Sequence, residues 1–210
     1  MEGNCSKSEP LIFPRGVRFP LSDEIPGDAN EVLSRIANAQ ITTGYIVTKV
    51  EGKLYNTYIE ANVHAPNVFE VFKQLAFALM PNIAAPIVGI KEDEPIFGPY
   101  INTVLAVEVF QPHTDLLQND GFLEFGIVHQ SEFAFEEVFV TSPKYFSIWT
   151  NHCSRVEDVL QSNNIPKCEE LEFIDEYPMV SLSLGDGDSV AWSSPFYAIQ
   201  DEFSRLSKSN

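Results

Sequence analysis

One segment, residues 66–80, constrains the fold more than any other part of the chain. It reads PNVFEVFKQLAFALM, and at 3.6 residues per turn its apolar side chains cover most of the helix surface. The remaining polar stripe is narrow and consists of Asn67, Glu70, Lys73 and Gln74. Pro66 suits a first helical turn, and Pro81 ends the run. A helix that is apolar nearly all round must lie inside a domain, so the sequence predicts a central helix with other elements packed around it.

Alternating apolar residues and turn signals predict many short strands and a few helices around this central helix. The predicted strands cover residues 44–50, 53–63, 85–90, 101–110, 122–129, 135–141, 144–149, 171–174 and 180–184. Besides the central helix, helices are predicted from Asp28, over 112–118, from Ser154 to about 163, and over 196–206. Strands and helices do not alternate regularly, and no Gly-rich phosphate-binding loop follows a strand.

This order of elements predicts an α+β fold: a single domain with a largely antiparallel or mixed sheet and helices packed mainly on one face. Residues 1–27 contain four prolines among apolar residues and are expected to form an extended arm on the body. No Gly- or Ser-rich linker divides residues 28–210, which are therefore expected to form the single domain.

The charge of the chain is strongly negative and unevenly distributed. Thirty acidic residues face thirteen basic ones, for a formal net charge of −17. Between Lys91 and Lys144 there are ten acidic residues and no basic one, and between Lys167 and Arg205 there are nine and none. Such a field repels nucleic acid and anionic lipid and attracts cationic partners. The charge therefore predicts a basic protein partner, with solubility alone as the simpler interpretation.

Compartment is predicted from the cysteines and the apolar segments. Three cysteines, Cys5, Cys153 and Cys168, form an odd set with no disulfide-framework spacing. The amino terminus lacks the apolar region of a secretory signal, and the longest charge-free apolar run, 74–90, is broken by two prolines. These features predict a soluble cytoplasmic protein with no membrane partner.

No motif in the sequence predicts catalysis, a metal or a cofactor. The four histidines, His64, His113, His129 and His152, lack the paired spacing of metal ligands. No Gly-x-Ser-x-Gly sequence is present, and adjacent carboxylates are explained by solvated faces. A thiolate pair of Cys153 with His129 or His113 is the one nucleophilic alternative, and an inert cysteine at a helix end is the simpler one.

Aromatic and acidic residues interleave in two neighbouring segments, 122–125 and 133–139. Strand alternation is expected to place phenylalanines and carboxylates on the two faces of a hairpin, with any exposed phenylalanine as an anchor inside a negative rim. The alternative is ordinary alternation with every phenylalanine in the core. The residues predicted to bind a partner are Glu124, Glu132, Phe133, Glu136, Glu137 and Phe139.

Three functions remain open from the sequence. The first is a non-enzymatic acidic module that binds, and neutralises, a basic protein; its composition, though not its residues, is similar to that of bacterial immunity proteins. The second is an enzyme for a small, cationic substrate in a cleft beside the central helix, using Glu70, His129 or Glu137. The third is a homo-oligomeric structural module.

Overall fold

A large antiparallel sheet organises the protein. The computed structural model describes residues 9–27, 29–184 and 193–208. The main sheet has eight strands in the order β2-β3-β9-β8-β7-β4-β5, with β6 also paired to β4, and it is open. Its strands are β2 (Gly44–Lys49), β3 (Thr57–Asn62), β4 (Ile83–Ile90), β5 (Ile96–Phe97), β6 (Ile101–Asn102), β7 (Leu123–Gln130), β8 (Phe135–Val140) and β9 (Tyr145–Thr150). A separate two-stranded ribbon pairs β1 (Val17–Arg18) with β10 (Val180–Ser181).

The helices pack mainly on one face of this sheet. They are α1 (Ala29–Ala37), α2 (Val68–Leu79), α3 (Thr103–Glu108), α4 (Thr114–Asn119), α5 (Cys153–Ser162) and α6 (Ser193–Ser207). Helices α2 to α6 share one apolar core with the sheet residues that face them. The predicted fold class, a single α+β domain with a mainly antiparallel sheet and helices mainly on one face, is therefore confirmed.

The central helix α2 is the most deeply buried helix of the core. Seven of its twelve residues are buried, among them Phe69, Phe72 and Leu75. Phe72 contacts Phe110 and Phe125 edge-on, with ring centroids 5.8 and 4.9 Å apart. Because Phe125 is in β7 and Phe110 follows α3, α2 packs against both the sheet and the segment after α3. The helix ends at Leu79, two residues before Pro81, as the sequence predicts.

Strand alternation gives the sheet two distinct faces. In β3, Thr57, Ile59 and Ala61 point to the helices and are buried, whereas Tyr58 and Glu60 point to the other side and are half-buried. We call this second side the open face, since no helix of the main core packs on it. It is defined by the residues Tyr58, Glu60, Glu124, Gly126, Val128, Phe135, Glu137, Phe139, Tyr145, Ser147 and Trp149.

Both edges of the sheet have additional backbone partners. At the β2 edge, the N–H of Tyr45 donates to the carbonyl of Pro166 (2.9 Å), and the N–H of Cys168 donates to the carbonyl of Tyr45 (2.8 Å). At the opposite side, β4 pairs with β7 along most of its length and carries the two short strands β5 and β6 on its outer edge. The sheet therefore ends in short or occupied strands.

The sequence-based strand over 101–110 is wrong beyond its first two residues. Only Ile101 and Asn102 form a strand, and α3 begins at Thr103. The side chain of Asn102 accepts a hydrogen bond from the N–H of Val104 (3.0 Å), which caps the helix. The β-branched residues that favoured a strand are thus overridden by this cap and by packing against α2.

Two predictions near the carboxyl end also differ from the structure. Residues 171–174 form no strand and lead into a short 3-10 helix, Ile174–Glu176. The predicted strand over 180–184 is reduced to two residues that pair with β1. The helix start at Asp28 and the residues 1–8 of the predicted arm lie outside the described residues.

Candidate functional site

The open face carries a continuous row of aromatic rings across three strands and one loop. Tyr58 and Trp149 are directly opposite each other in β3 and β9, and their rings stack at 4.2 Å. Tyr55, in the loop before β3, packs against Trp149 at 4.9 Å and against Phe135 at 5.8 Å. The rings therefore restrict one another's positions, and all four are only partly buried.

Glu137 lies among these rings. In the register of the sheet it is opposite Trp149 on β9 and Val128 on β7, and Phe135 and Phe139 flank it two residues away on its own strand. Directly opposite residues in an antiparallel pair have Cβ atoms roughly 5 Å apart, so the carboxylate lies beside the indole. Glu137 is half-buried, and burial raises the pKa of its carboxyl to about 7.

No cation among the described residues compensates the carboxylate of Glu137. Within the described part of the chain, the side chain of Glu137 forms neither a hydrogen bond nor an ion pair, and burial is the sole cause of its pKa shift. A half-buried carboxyl without a partner costs free energy when it is charged. The arrangement is therefore suited to receive a positively charged group from another molecule.

The aromatic ring of Phe139 lies on Gly126. A Cβ atom at position 126 would be 2.8 Å from the Phe139 ring and 2.7 Å from the Val138 carbonyl, so only glycine allows this approach. Beneath Phe135 and Phe139, a small cluster of Ala85, Ile87 and Val128 is fully buried. The two phenylalanines thus have an apolar support under one side and are half-exposed on the other.

One end of the open face is covered by the segment before β10. The hydroxyl of Tyr145 donates to Asp175 (3.0 Å), and the ring of Phe173 packs on Tyr145 at 4.8 Å. The side chain of Asn62 also donates to the carbonyl of Glu172 (2.9 Å). The accessible part of the open face is therefore the region around Tyr58, Trp149 and Glu137.

The predicted site residues fall into three places. Glu137 and Phe139 are on the accessible part of the open face, together with Phe135. Glu124 is on the same face but farther along β7, where it accepts the N–H of Ser142 (3.1 Å), and burial raises its pKa. The expected separation of phenylalanines and acids onto two faces is wrong here, because Phe135, Glu137 and Phe139 share a face.

Glu136 points to the opposite, helix-covered face. It is only 3% exposed; one carboxylate oxygen accepts the N–H of Asn151 (3.2 Å) and lies 3.8 Å from Nε2 of His152. The other oxygen, Oε2, is buried without a hydrogen bond. Glu136 is therefore part of the interior and does not belong to a docking surface.

Glu132 and Phe133 are in the turn between β7 and β8. The hydroxyl of Ser131 accepts the N–H groups of Phe133 (3.2 Å) and Ala134 (3.1 Å), which holds the turn closed. Phe133 is 85% exposed, the highest value of any large apolar side chain in the described structure. The alternative that every phenylalanine is in the core is therefore wrong for Phe133.

Some acidic residues of the base-free stretch 92–143 are buried inside the protein. Asp120 is fully buried and accepts the N–H groups of Phe122 (2.9 Å) and Leu184 (2.9 Å). Lys144 is buried nearby, donates to the Leu123 carbonyl, and has its pKa lowered by burial to about 7, against the opposing effect of Asp120 and Glu124. The whole stretch therefore does not form one acidic surface.

The side chains proposed for an enzyme cleft are not brought together. His129 pairs with Glu136 in the sheet register and lies on the helix side, whereas Glu137 is on the open face. Glu70 forms an exposed ion pair with Lys73 on α2 (2.6 Å). Burial raises the pKa of the Cys153 thiol, the reverse of what an activated nucleophile requires.

Two shallow grooves lie away from the open face. One, of about 520 Å³, runs between the segment around His64 and the loop 163–166; the other, of about 340 Å³, lies between α3 and α6. Nδ1 of His64 accepts a hydrogen bond from the N–H of Ile12 (3.0 Å), and this bond holds the amino-terminal segment next to His64. Among the described residues, no cluster of three or more His, Cys, Asp or Glu side chains is arranged for a metal ion.

The cysteines do not support the compartment predicted from them. Cys168 is disulfide-bonded, and Cys153 is a free, half-buried thiol. Disulfides are typical of oxidising compartments, so the cytoplasmic location stays a prediction without this argument. In the portion of the chain that the structure covers, no helix has both the length and the apolar character to cross a membrane.

Tyr58 and Trp149 were not predicted as site residues, although a signal for them exists in the sequence. Both are out of phase with the buried residues of their strands, such as Ile59 and Ile148, so period-2 alternation places them on the outer face. What the alternation could not reveal is that β3, β9 and β8 are neighbours.

The fold and the site together define an α+β protein with a half-open antiparallel sheet that bears an aromatic, acidic face. No protein-family model, curated protein or solved structure matches this chain. Function is therefore inferred from the side chains of this molecule alone.

Proposed function

We propose that this protein is a non-enzymatic, strongly acidic binding module that docks a basic protein partner on the accessible part of its open face. The observation that carries the proposal is Glu137, a half-buried carboxylate that no cation of the described residues pairs with, among Trp149, Phe135 and Phe139. Aromatic side chains and arginine are enriched at the energetic centres of protein interfaces, so an aromatic surface that carries a carboxylate can accept an arginine of a partner.

Two further features support this function. Phe133 stands 85% exposed in the turn that leads into β8, where a partner on the open face would bury it. The formal net charge of −17 raises the encounter rate with a cationic protein at low ionic strength. Neutralisation of such a partner, in the manner of immunity proteins, would follow from covering its basic surface.

The test is a salt titration with a labelled peptide of about 20 residues, rich in arginine and lysine and of mixed sequence. Fluorescence anisotropy at 20 and 300 mM NaCl should show at least about tenfold weaker binding at the higher salt, because exposed charges are screened. An acidic peptide of the same length is the negative control.

Variants separate docking on the open face from general attraction by net charge. At pH 8, where a carboxyl with a pKa of about 7 is mostly ionised, Glu137→Gln and Glu108→Gln each remove about one negative charge, but Glu108 is exposed on α3, on the helix side of the sheet. Glu137→Gln and Phe133→Ala should each weaken binding at least about fivefold, on the scale of an interface residue worth about 1 kcal/mol, whereas Glu108→Gln should not. Equal affinity for all variants, or binding that salt does not change, would contradict the proposal.

A further inference from the structure

We infer that the position over Glu137 receives one arginine side chain of the partner, with the guanidinium on the carboxylate and beside the ring of Trp149. This inference rests on the proposed function, because it names the chemical group that the open face recognises. It commits to arginine, and the other cations are alternatives that the experiment separates.

The geometry of the neighbours favours a flat cation. Glu137 has Trp149 directly across on β9, and Phe135 and Phe139 lie two residues to each side on β8. Trp149 is itself held by the stacked ring of Tyr58 and by Tyr55. A planar guanidinium stacks on aromatic rings and pairs with both oxygens of a carboxylate. The ammonium of lysine is compact and not planar, so it cannot make both contacts in this way.

Partial burial of the site favours arginine for a second reason. The guanidinium is more weakly hydrated than the ammonium of lysine, so it loses less hydration free energy on entering a half-buried position. Glu137 has no competing cation in the described structure, and Lys144 and Lys91 are near Glu124 at the other end of β7. The incoming arginine would therefore not have to displace an existing ion pair.

The groups around Glu137 also define how binding depends on pH. From β3 the titratable groups are Tyr58 and Glu60, from the preceding loop Tyr55, while β7 contributes Val128 and β9 contributes Trp149, which do not titrate. Burial raises the pKa of Glu60 as well as that of Glu137. Since a guanidinium binds the charged carboxylate, binding should strengthen as Glu137 loses its proton.

The experiment titrates three blocked tripeptides, Gly-Arg-Gly, Gly-Lys-Gly and Gly-citrulline-Gly, into the protein and follows the indole N–H signals by NMR. The chain has two tryptophans, and a Trp149→Phe variant assigns the signal of Trp149. The arginine peptide should shift the Trp149 signal saturably. The lysine peptide should bind at least about fivefold more weakly, and the uncharged citrulline peptide should leave the signal unchanged.

Two controls make the result specific to Glu137. Glu137→Gln should abolish the shift, whereas Glu108→Gln should preserve it; far-UV circular dichroism of both variants establishes that they are folded. For a carboxyl with a pKa of about 7, affinity for the arginine peptide should rise about tenfold between pH 6 and pH 8 in the unmodified protein and in Glu108→Gln, whereas Glu137→Gln should give no saturable shift at either pH.

Each outcome bears on one proposal. Equal affinity for arginine and citrulline, equal affinity for arginine and lysine, or no shift of Trp149 would overturn the arginine assignment, while the long basic peptide still tests docking on the open face. A selective arginine shift combined with failure of the long peptide to bind would leave the arginine site in place and overturn the docking of a basic protein.

Discussion

The adjacent residues Glu136 and Glu137 have opposite environments because one strand position reverses the direction of the side chain. Glu136 is 3% exposed under the helices and accepts the N–H of Asn151, whereas Glu137 lies on the open face and has no hydrogen-bond or ion-pair partner among the described residues. The sequence presents them as an ordinary acidic pair. Only the register of β8 between β7 and β9 distinguishes the interior carboxylate from the one on the open face.

The pKa of Glu137 makes stability depend on pH in a defined direction. It rises from 4.5 to about 7 on folding, so the folded protein keeps a proton that the unfolded chain loses between these values. The contribution of this group to stability is complete below pH 4.5 and is lost as pH rises through 7. Glu137→Gln should therefore be more stable than the unmodified protein at pH 8 by about 1–3 kcal/mol.

Urea unfolding of Glu137→Gln and of the unmodified protein at pH 4.5, 6 and 8 measures this effect. The difference should vanish at the lowest pH and grow towards the highest. Exposed Glu108→Gln should change stability by less than about 0.5 kcal/mol at every pH. A difference between Glu137→Gln and the unmodified protein that does not vary with pH would contradict a raised pKa.

Periodicity predicted individual residues well where one face of an element is clearly apolar. In β3, period-2 alternation puts Thr57, Ile59 and Ala61 on one face, and all three are buried. It could not predict Asp120 or Lys144 as interior residues, because a buried charge depends on partners brought from distant segments. The N–H of Leu184, for example, reaches Asp120 from sixty-four residues away.

Among the elements, α2 was predicted from the sequence with nearly correct limits, because its apolar surface leaves few alternatives. Residues 101–110 were assigned to a strand although α3 begins at Thr103, since their β-branched residues favour a strand and tertiary packing overrides that preference. Strand order was likewise beyond prediction, because β9 inserts between β3 and β8.

Two phenylalanines of α2 provide a matched test of its central role. Phe72 is fully buried against Phe110 and Phe125, whereas Phe77 is 51% exposed on the same helix. Phe72→Ala should reduce the free energy of unfolding by about 3–5 kcal/mol, and Phe77→Ala by less than about 1 kcal/mol. Urea titration followed by circular dichroism gives both values, and equal losses would show that α2 is not anchored through Phe72.

At the scale of the whole molecule, excess negative charge opposes compactness. Seven ion pairs at most 4.0 Å long occur among the described side chains, two of them involving histidine, so most of the thirty acidic residues are not paired in this way. Like charges on a compact body repel one another, and salt screens that repulsion.

Salt should therefore stabilise the protein. Raising NaCl from 20 to 300 mM at pH 7.5 should increase the melting temperature by about 2–4 °C, the change that corresponds to roughly 1 kcal/mol for a chain of this size. Differential scanning calorimetry measures the shift. A melting temperature that falls with added NaCl would mean that attractive ion pairs outweigh the repulsion.

The backbone partners at both edges of the main sheet affect how copies of this protein can associate. A fibril grows when a free strand of one molecule accepts the backbone of the next. Here the outer side of β2 is already bonded at Tyr45 and ends in Lys49, and β4 is flanked by β5 and β6. Strand-by-strand polymerisation would first have to strip away these native partners, so crowded molecules are expected to stay separate or to touch through side chains.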